Sequence, residues 1–411
     1  MPAVLGAVRI PAELSVTALA GAHPCLLAPA ASGDPSIASL HLGPQAELGR
    51  ILHRLMEDAG RGRMGPVVDP DAMVRSRLEV LLRECQRELC KDAFSKAYAN
   101  LKESFSFVEW HSRTEIAIAE AARMLNGQSS PHTASQLQKA HSIASTNLNA
   151  LLGRAGEFTL FEVPFRSKHL RLKGRIDELT KQASGTIEVI DYKTGRVLDA
   201  DGTLSPRIVF QLRLYGLAIL ECLPHTTVQL YVRSGEEYYS VPFTADDVRR
   251  TENEHQALLS RLPPGDELQA EALAELGPYC RTCRIRHVCP RYRRDAANLW
   301  KKPTAEFSLA LDICGTMLKR EKSSDDTHAV TLRDASERLV KIHRLDMSEA
   351  DIDALMRCPR VWFFSLCSHE GILKGGAWHH PQNFYQLPVG RVESRAWSME
   401  VFGSSGDTPD H

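Results

Sequence analysis

Gly174-Arg-Ile-Asp177, followed by Ile187-Glu-Val-Ile-Asp191-Tyr-Lys193-Thr-Gly195, is the stretch on which the fold turns. Both parts read as short β-rich runs, and the turn signal Ser184-Gly185 lies between them, so they are predicted neighbouring strands. Side chains at i and i+2 of a strand point to one face, which makes Asp191 and Lys193 project together. Two carboxylates on adjacent strands supply hard oxygen ligands of the kind that suit Mg²⁺ or Mn²⁺. An ammonium beside them can position a water or steady the charge growing on a phosphate. Taken alone, Asp191-Tyr-Lys193 also reads as a solvated strand end with an ordinary ion pair, because short motifs match by chance.

Outward from that stretch, residues 158–165, 170–180 and 186–192 are predicted strands. Ser205-Pro206 opens a helix, with Ser as N-cap and Pro at the first helical position. It carries Ile208, Val209, Leu212, Leu217 and Ile219 and ends before Pro224. Strands return at 228–232 and 238–243, and a polar helix covers 245–261. Strands, a helix and strands again predict a mixed sheet with helices packed on it, an α/β core. Upstream, Leu48, Ile51, Leu52, Leu55 and Met56 give a helix beginning near Pro44 one buried stripe. Helices over 70–127 and 133–152 make a helical insert at about 62–152. Beyond Pro303, residues 309–317, 328–333, 338–345 and 361–366 alternate as strands, with Asp334-Ala-Ser-Glu as a hairpin turn and a short helix at 351–356. That pattern predicts a small OB-like β-barrel over 301–402, and a disordered tail over 403–411.

Composition sets the outer bounds. A chain of 411 residues exceeds one core, so more than one domain is expected. Hydrophobic residues at 43% and charged residues at 25% exclude a mostly disordered, fibrous or small disulfide-stapled chain. Fifty basic against 51 acidic residues exclude a uniformly basic nucleic-acid coat protein but not a local basic site. No apolar run approaches the ~18 residues needed to cross a bilayer. Pro2 and Pro11 interrupt the start, so no cleaved signal peptide is expected. Three of the ten cysteines crowd into positions 280–289, which points to a metal site in a reducing cytoplasm. A soluble cytoplasmic protein without a membrane partner is the expectation.

Further motifs flank the acids. Gly49-Arg-Ile-Leu-His53 lies on the early helix, and Gln211 and Tyr215 share one face of the Ser205-Pro206 helix. Singly, His53 reads as a structural histidine and the Gln–Tyr pair as a surface pair. In chain order, G-x3-H, G-x2-D, D-x-K-T-G and Q-x3-Y resemble the RecB-like branch of the PD-(D/E)XK nuclease superfamily, over residues 14–295. The resemblance implies that 1–300 is a metal-dependent nuclease domain. His53, Asp177 and Asp191 would be metal ligands with the carbonyl of Tyr192, Lys193 the catalytic lysine, and Gln211 and Tyr215 residues of the same cleft.

Cys280, Cys283 and Cys289 give C-x2-C-x5-C, three thiolates on a short loop and one short of four. A zinc site completed by His287 is one reading. The resemblance implies another, a [4Fe–4S] cluster whose fourth cysteine follows a motif like Leu14-Ser15-Val16-Thr17-Ala18-Leu19 by a few residues, where Cys25 stands. Here Pro24 precedes Cys25 and Leu26-Leu27 follow, a departure from the family's usual Cys-Pro, and Cys85 and Cys90 are alternative ligands. Cys222, Cys314, Cys358 and Cys367 read as core residues. Arg281, Arg284, Arg286, Arg291, Arg293 and Arg294 make a basic run expected to bind phosphates, with Tyr279 and Tyr292 for stacking.

The expected function is a metal-dependent DNA nuclease acting on single-stranded or frayed ends, in repair, recombination or defence against foreign DNA. No G-x4-GK[ST] motif is present, so unwinding would come from a helicase partner. The alternative is a catalytically silent nuclease-like module that binds DNA or a partner. Loss of an acid or of the lysine would signal it, and none is lost.

Overall fold

The computed structural model describes residues 4–21, 25–32, 34, 37, 44–64, 69–91, 100–105, 107–128, 148–153, 156–195, 197–235, 237–277, 279, 280, 283 and 285–295 of the larger region. Beyond it, residues 310–322, 328–334, 339–345, 348–358, 360–368, 371–373, 376–378, 383–385, 401 and 402 are described. The chain opens with β1 (Ala7–Arg9) and β2 (Leu14–Ser15), then α1 (Val16–Ala20) and α2 (Leu27–Ala31). Ser15 caps α1 by accepting from the amide of Ala18 at 3.4 Å.

Next come α3 (Pro44–Gly60), α4 (Pro70–Lys91) and α5 (Phe107–Gln128). The apolar stripe of α3 is buried as its spacing predicts, and Leu48, Leu52 and Leu55 are fully enclosed against Val74, Leu81, Ala117 and Ala121 of the other two helices. Of the predicted helix over 133–152, α6 (Leu148–Leu152) is described, and residues 133–147 lie outside the described residues.

The central sheet follows, as β3 (Phe158–Ser167), β4 (Leu172–Lys181), β5 (Ile187–Tyr192), β6 (Val228–Ser234) and β7 (Glu237–Val241). Its order is β2-β4-β5-β6-β7, with β3 lying along β4. β3–β4, β4–β5 and β6–β7 are antiparallel, while β2–β4 and β5–β6 are parallel. The parallel β5–β6 pair needs a crossover, and α7 (Pro206–Cys222) provides it. The α/β core with a mixed sheet flanked by helices is therefore observed. In β5, Ile187 and Val189 face the main core with Leu212 and Leu214 of α7, whereas Ile190 and Tyr192 face the core of α3–α5. The alternation of a strand thus places Asp191 on the α7 side.

Two local expectations differ. Ser205 stands at the N-cap of α7 without a side-chain cap bond, so Pro206, with its preset φ, starts that helix. α8 (Ala245–Ser260) instead has a full capping box between Thr244 and Asp247. β8 (Glu267–Gln269), α9 (Ala270–Leu273) and α10 (Pro290–Asp295) close this region, with β8 paired antiparallel to β1.

The C-terminal region contains β9 (Ala310–Lys322), β10 (His328–Asp334), β11 (Leu339–Leu345), α11 (Glu349–Met356) and β12 (Arg360–Ser368). After them come β13 (Gly371–Leu373), β14 (Gly376–Trp378), β15 (Asn383–Tyr385) and β16 (Val401–Phe402). β9, β10 and β11 form an antiparallel sheet, β12 pairs with β9, and β15 pairs with both β11 and β12. Val330, Leu332, Ile342, Ile352, Val361 and Phe363 make its separate core. The proposed hairpin turn at 335–338 and the tail at 403–411 lie outside the described residues.

Candidate active site

β4 and β5 pair from Lys181↔Ile187 to Glu178↔Ile190, and there the ladder stops. The next positions in that register are Asp177 and Asp191, so the two carboxylates stand opposite each other where the strands part. β5 continues to pair with β6 through Asp191↔Val232 and Tyr192↔Arg233. The gap is held in place by the main chain, since the amide of Tyr192 donates to Asp177 Oδ2 at 2.8 Å. The Tyr192 side chain points to the opposite face, where its hydroxyl donates to Glu178.

Asp191 is 2% exposed, a burial that an unpaired carboxylate could not bear. Gln211 Nε2 donates to Asp191 Oδ1 at 3.1 Å and to the Tyr215 hydroxyl at 3.2 Å. Lys193 Nζ lies 2.7 Å from Asp191 Oδ2, an ion-pair contact whose angle makes no hydrogen bond. Oδ2 thus keeps an unused lone pair in a buried place, which fits a carboxylate awaiting a cation. His53, one turn of α3 beyond Gly49, brings Nδ1 to 3.8 Å from Asp177 Oδ2. His53, Asp177, Asp191, Lys193, Gln211 and Tyr215 all line one cleft of about 620 Å³. Gly174 permits its floor, because a Cβ there would fall 2.8 Å from the Phe165 ring and 3.2 Å from that of Tyr215.

A third acid is present that the motifs did not reveal. Ligand atoms of His53, Glu162 and Asp177 lie within 4.8 Å of one another. Glu162 lies where the β3–β4 register skips a pair, between Phe161↔Glu178 and Val163↔Ile176 and level with Asp177, and has a left-handed backbone at φ 52°. Arg61 holds that conformation by donating to the carbonyls of Phe161 and Glu162, each at 3.1 Å. Nothing short of the strand pairing would have identified Glu162.

The electrostatics follow from crowding. Burial, then the charge of Asp191, raises the Asp177 carboxyl well above the ordinary range, against the pull of Lys193 and the Tyr192 amide. Burial, then Asp177, pushes Glu162 up to about 7. Burial and the Lys193 ammonium lower His53, which favours the neutral imidazole that binds metals. Burial, helped by both aspartates, raises the Tyr215 phenol and keeps it a donor.

The cysteines divide between two cores. Cys25, Cys280, Cys283 and Cys289 belong to or pack against the main core, whereas Cys85 belongs to that of α3–α5 and Cys90 is exposed. Burial raises the thiols of Cys280, Cys283 and Cys289, and Cys25 contributes in the same direction to each. Among the described residues no three sulfurs gather within 4.8 Å. Cys314 is buried as predicted, Cys222 and Cys358 are only half-buried, and the Cys367 side chain lies outside the described residues.

Three members of the expected phosphate-binding arginine run are engaged by the main chain. Arg286, Arg291 and Arg293 donate to the carbonyls of Cys283, Ala274 and His287, and Arg294 pairs with Glu271 and Asp295. Tyr292 is buried, and the Tyr279 hydroxyl donates to the carbonyl of Glu275. The carbonyl bonds of Arg286, Arg291 and Arg293 tie the loop together. Arg281 and Arg284 lie outside the described residues.

No curated protein matches the chain. A solved structure, the crystal structure of SSO0001, is similar at 16% identity and TM-score 0.22, covering 52% of this chain and 96% of that one. The sequence profile described as the PD-(D/E)XK nuclease superfamily matches residues 13–290, more than half of the chain and the whole of the cleft described above. The chain belongs to the PD-(D/E)XK nuclease superfamily.

Proposed function

We propose that the protein is a deoxyribonuclease of the RecB-like branch, hydrolysing phosphodiester bonds at single-stranded or frayed DNA ends. The observation that carries this reading is the pair Asp177 and Asp191 at the end of the β4–β5 ladder, with Lys193 2.7 Å from Asp191. His53, Asp177, Asp191 and the Tyr192 carbonyl would hold Mg²⁺ or Mn²⁺. When bound, that cation would neutralise charge developing on the phosphate and lower the pKa of a water. Lys193 would hold the reacting phosphate or water from the same strand face. Gln211 and Tyr215 would fix the Asp191 carboxylate by the bonds already described. Purified protein should cleave end-labelled single-stranded DNA with Mn²⁺ and stop on addition of EDTA. No cleavage of any DNA with either cation would overturn the reading.

Two further elements belong to this proposal. Cys25, Cys280, Cys283 and Cys289 would hold a [4Fe–4S] cluster. The fit is supported by amides of Gly277 and Tyr292 that donate to the sulfurs of Cys280 and Cys289 at 3.4 and 3.5 Å, the kind of bond that tunes cluster sulfurs. The C-terminal strands would form an OB-like barrel, a reading supported by the pairing of β15 with both β11 and β12 and by a helix between β11 and β12. Such a domain would feed a strand opened by a helicase partner toward the cleft.

A further inference from the structure

Charge is unevenly spread over the lining of the cleft. Ser15, Thr17, Gln211 and Tyr215 bring uncharged groups to it. The β3–β4 hairpin brings cations, with Arg166 opposite Lys173 and Arg175 two residues later. Lys173 and Arg175 share one face of β4, Arg166 stands beside Lys173 on β3, and all three line the cleft that holds the acids. Side chains two apart on a strand are ~6.8 Å apart, a step comparable to that between neighbouring phosphates of an extended nucleic-acid strand.

The two arginines reach solvent, with Arg166 and Arg175 side chains 63% and 58% exposed. Each touches one glutamate, Glu13 and Glu162 respectively, at 3.3 Å. The glutamates are mostly buried, at 17% and 12% exposed, but each guanidinium has further N–H donors turned to solvent that can take a phosphate. The contrast is with the arginines near Cys280, whose guanidinium groups are engaged with carbonyls.

We propose that Arg166, Lys173 and Arg175 form a rail for the phosphates of one nucleic-acid strand and lead it along β4 to Asp177 and Asp191. The inference rests on the nuclease reading and adds the path of the substrate. A duplex carries phosphates on two sides, whereas the three cations lie together on one hairpin and the rest of the lining includes the uncharged Ser15, Thr17, Gln211 and Tyr215. The recognised chemistry is the phosphodiester backbone, which DNA and RNA share.

The test compares the full-length wild type with Arg166→Gln/Lys173→Gln/Arg175→Gln, using short labelled single-stranded DNA, single-stranded RNA and duplex DNA. Binding is followed by fluorescence anisotropy in EDTA across a salt series. Each lost phosphate contact lowers the slope of log K against log salt by about 0.7 for a single strand. The triple variant should therefore lose about 2 from the slope and bind single strands roughly tenfold or more weakly. Loss with DNA, with RNA or with both supports the rail and names the backbone it serves. Arg166→Gln alone, at the exposed end of the rail, should lose about 0.7 and covers the case in which the triple variant fails to fold. An unchanged slope in both variants, with wild-type binding intact, overturns the rail and leaves the nuclease reading standing. Equal loss on duplex DNA overturns the single-strand assignment. A wild type that neither binds nor cleaves any of the three overturns both.

Discussion

Asp177 on β4 and Lys193 just past β5 reach the same cleft, and both stand among the groups that would handle the cation or the phosphate. Lys193→Ala and Asp177→Ala should each lower cleavage of end-labelled DNA by at least ~10²-fold while leaving the melting temperature near that of wild type. Wild-type rates in either variant would remove that residue from the catalytic set. Glu162 makes a prediction of a different kind. Its carboxyl is near 7 in the fold, raised mainly by burial, so between the ordinary carboxylate range and that value the native state binds more protons than the unfolded chain. Its contribution to stability therefore falls as pH rises through this interval. Glu162→Gln in metal-free protein should gain melting temperature relative to wild type from about pH 5 to about pH 8, then level off. A difference independent of pH would sink the argument. At this scale the sequence was informative where strand period sufficed, as for Asp177, Asp191 and Lys193. It was silent on Glu162, whose left-handed backbone no pattern announces, and misleading on Arg286, Arg291 and Arg293, whose partners are carbonyls remote in sequence or set by a turn.

The end of the β4–β5 ladder is an element-scale device, because one strand is held by β3 and the other by β6 where their two acids meet. α7 lines the same cleft through Gln211 and Tyr215, and its packing is tight. A Cβ on Gly216 would fall 2.5 Å from the Phe243 ring. Alanine ordinarily gains ~1 kcal/mol over glycine inside a helix, yet the overpacking here costs about 1–3 kcal/mol. Gly216→Ala should thus lower the denaturation midpoint, and a stabilised variant would show that Phe243 moves aside freely. The central strands and α7 were legible because each is long enough to display its period. β1 and β2, with three and two residues, were not, since neither completes a pattern and both owe their existence to distant partners.

Across the whole molecule, the ends of the nuclease region meet. Leu26 N donates to the carbonyl of Leu273 at 3.0 Å, which sets Cys25 beside the segment that leads to Cys280. Protein prepared without oxygen should contain about four irons per chain. Cys25→Ser and Cys289→Ser should lose iron and melting temperature together, because metal binding is coupled to folding. Cys85→Ser should keep both, and stoichiometric zinc in place of iron would contradict the cluster. Beyond this region, α10 touches the C-terminal strands, with Tyr292 6.5 Å from Trp362 and Arg293 over the same ring. The antiparallel pairing of β1 with β8 has a consequence for biosynthesis. Ala7 must wait for Gln269 before its strand has a partner. At ribosomal speeds of ~5–20 residues per second, that wait lasts roughly 13–50 s. Every side chain of the cleft has left the peptidyl-transferase centre by Tyr215, yet the nascent chain remains an unclosed assembly until the last turns of the region are translated.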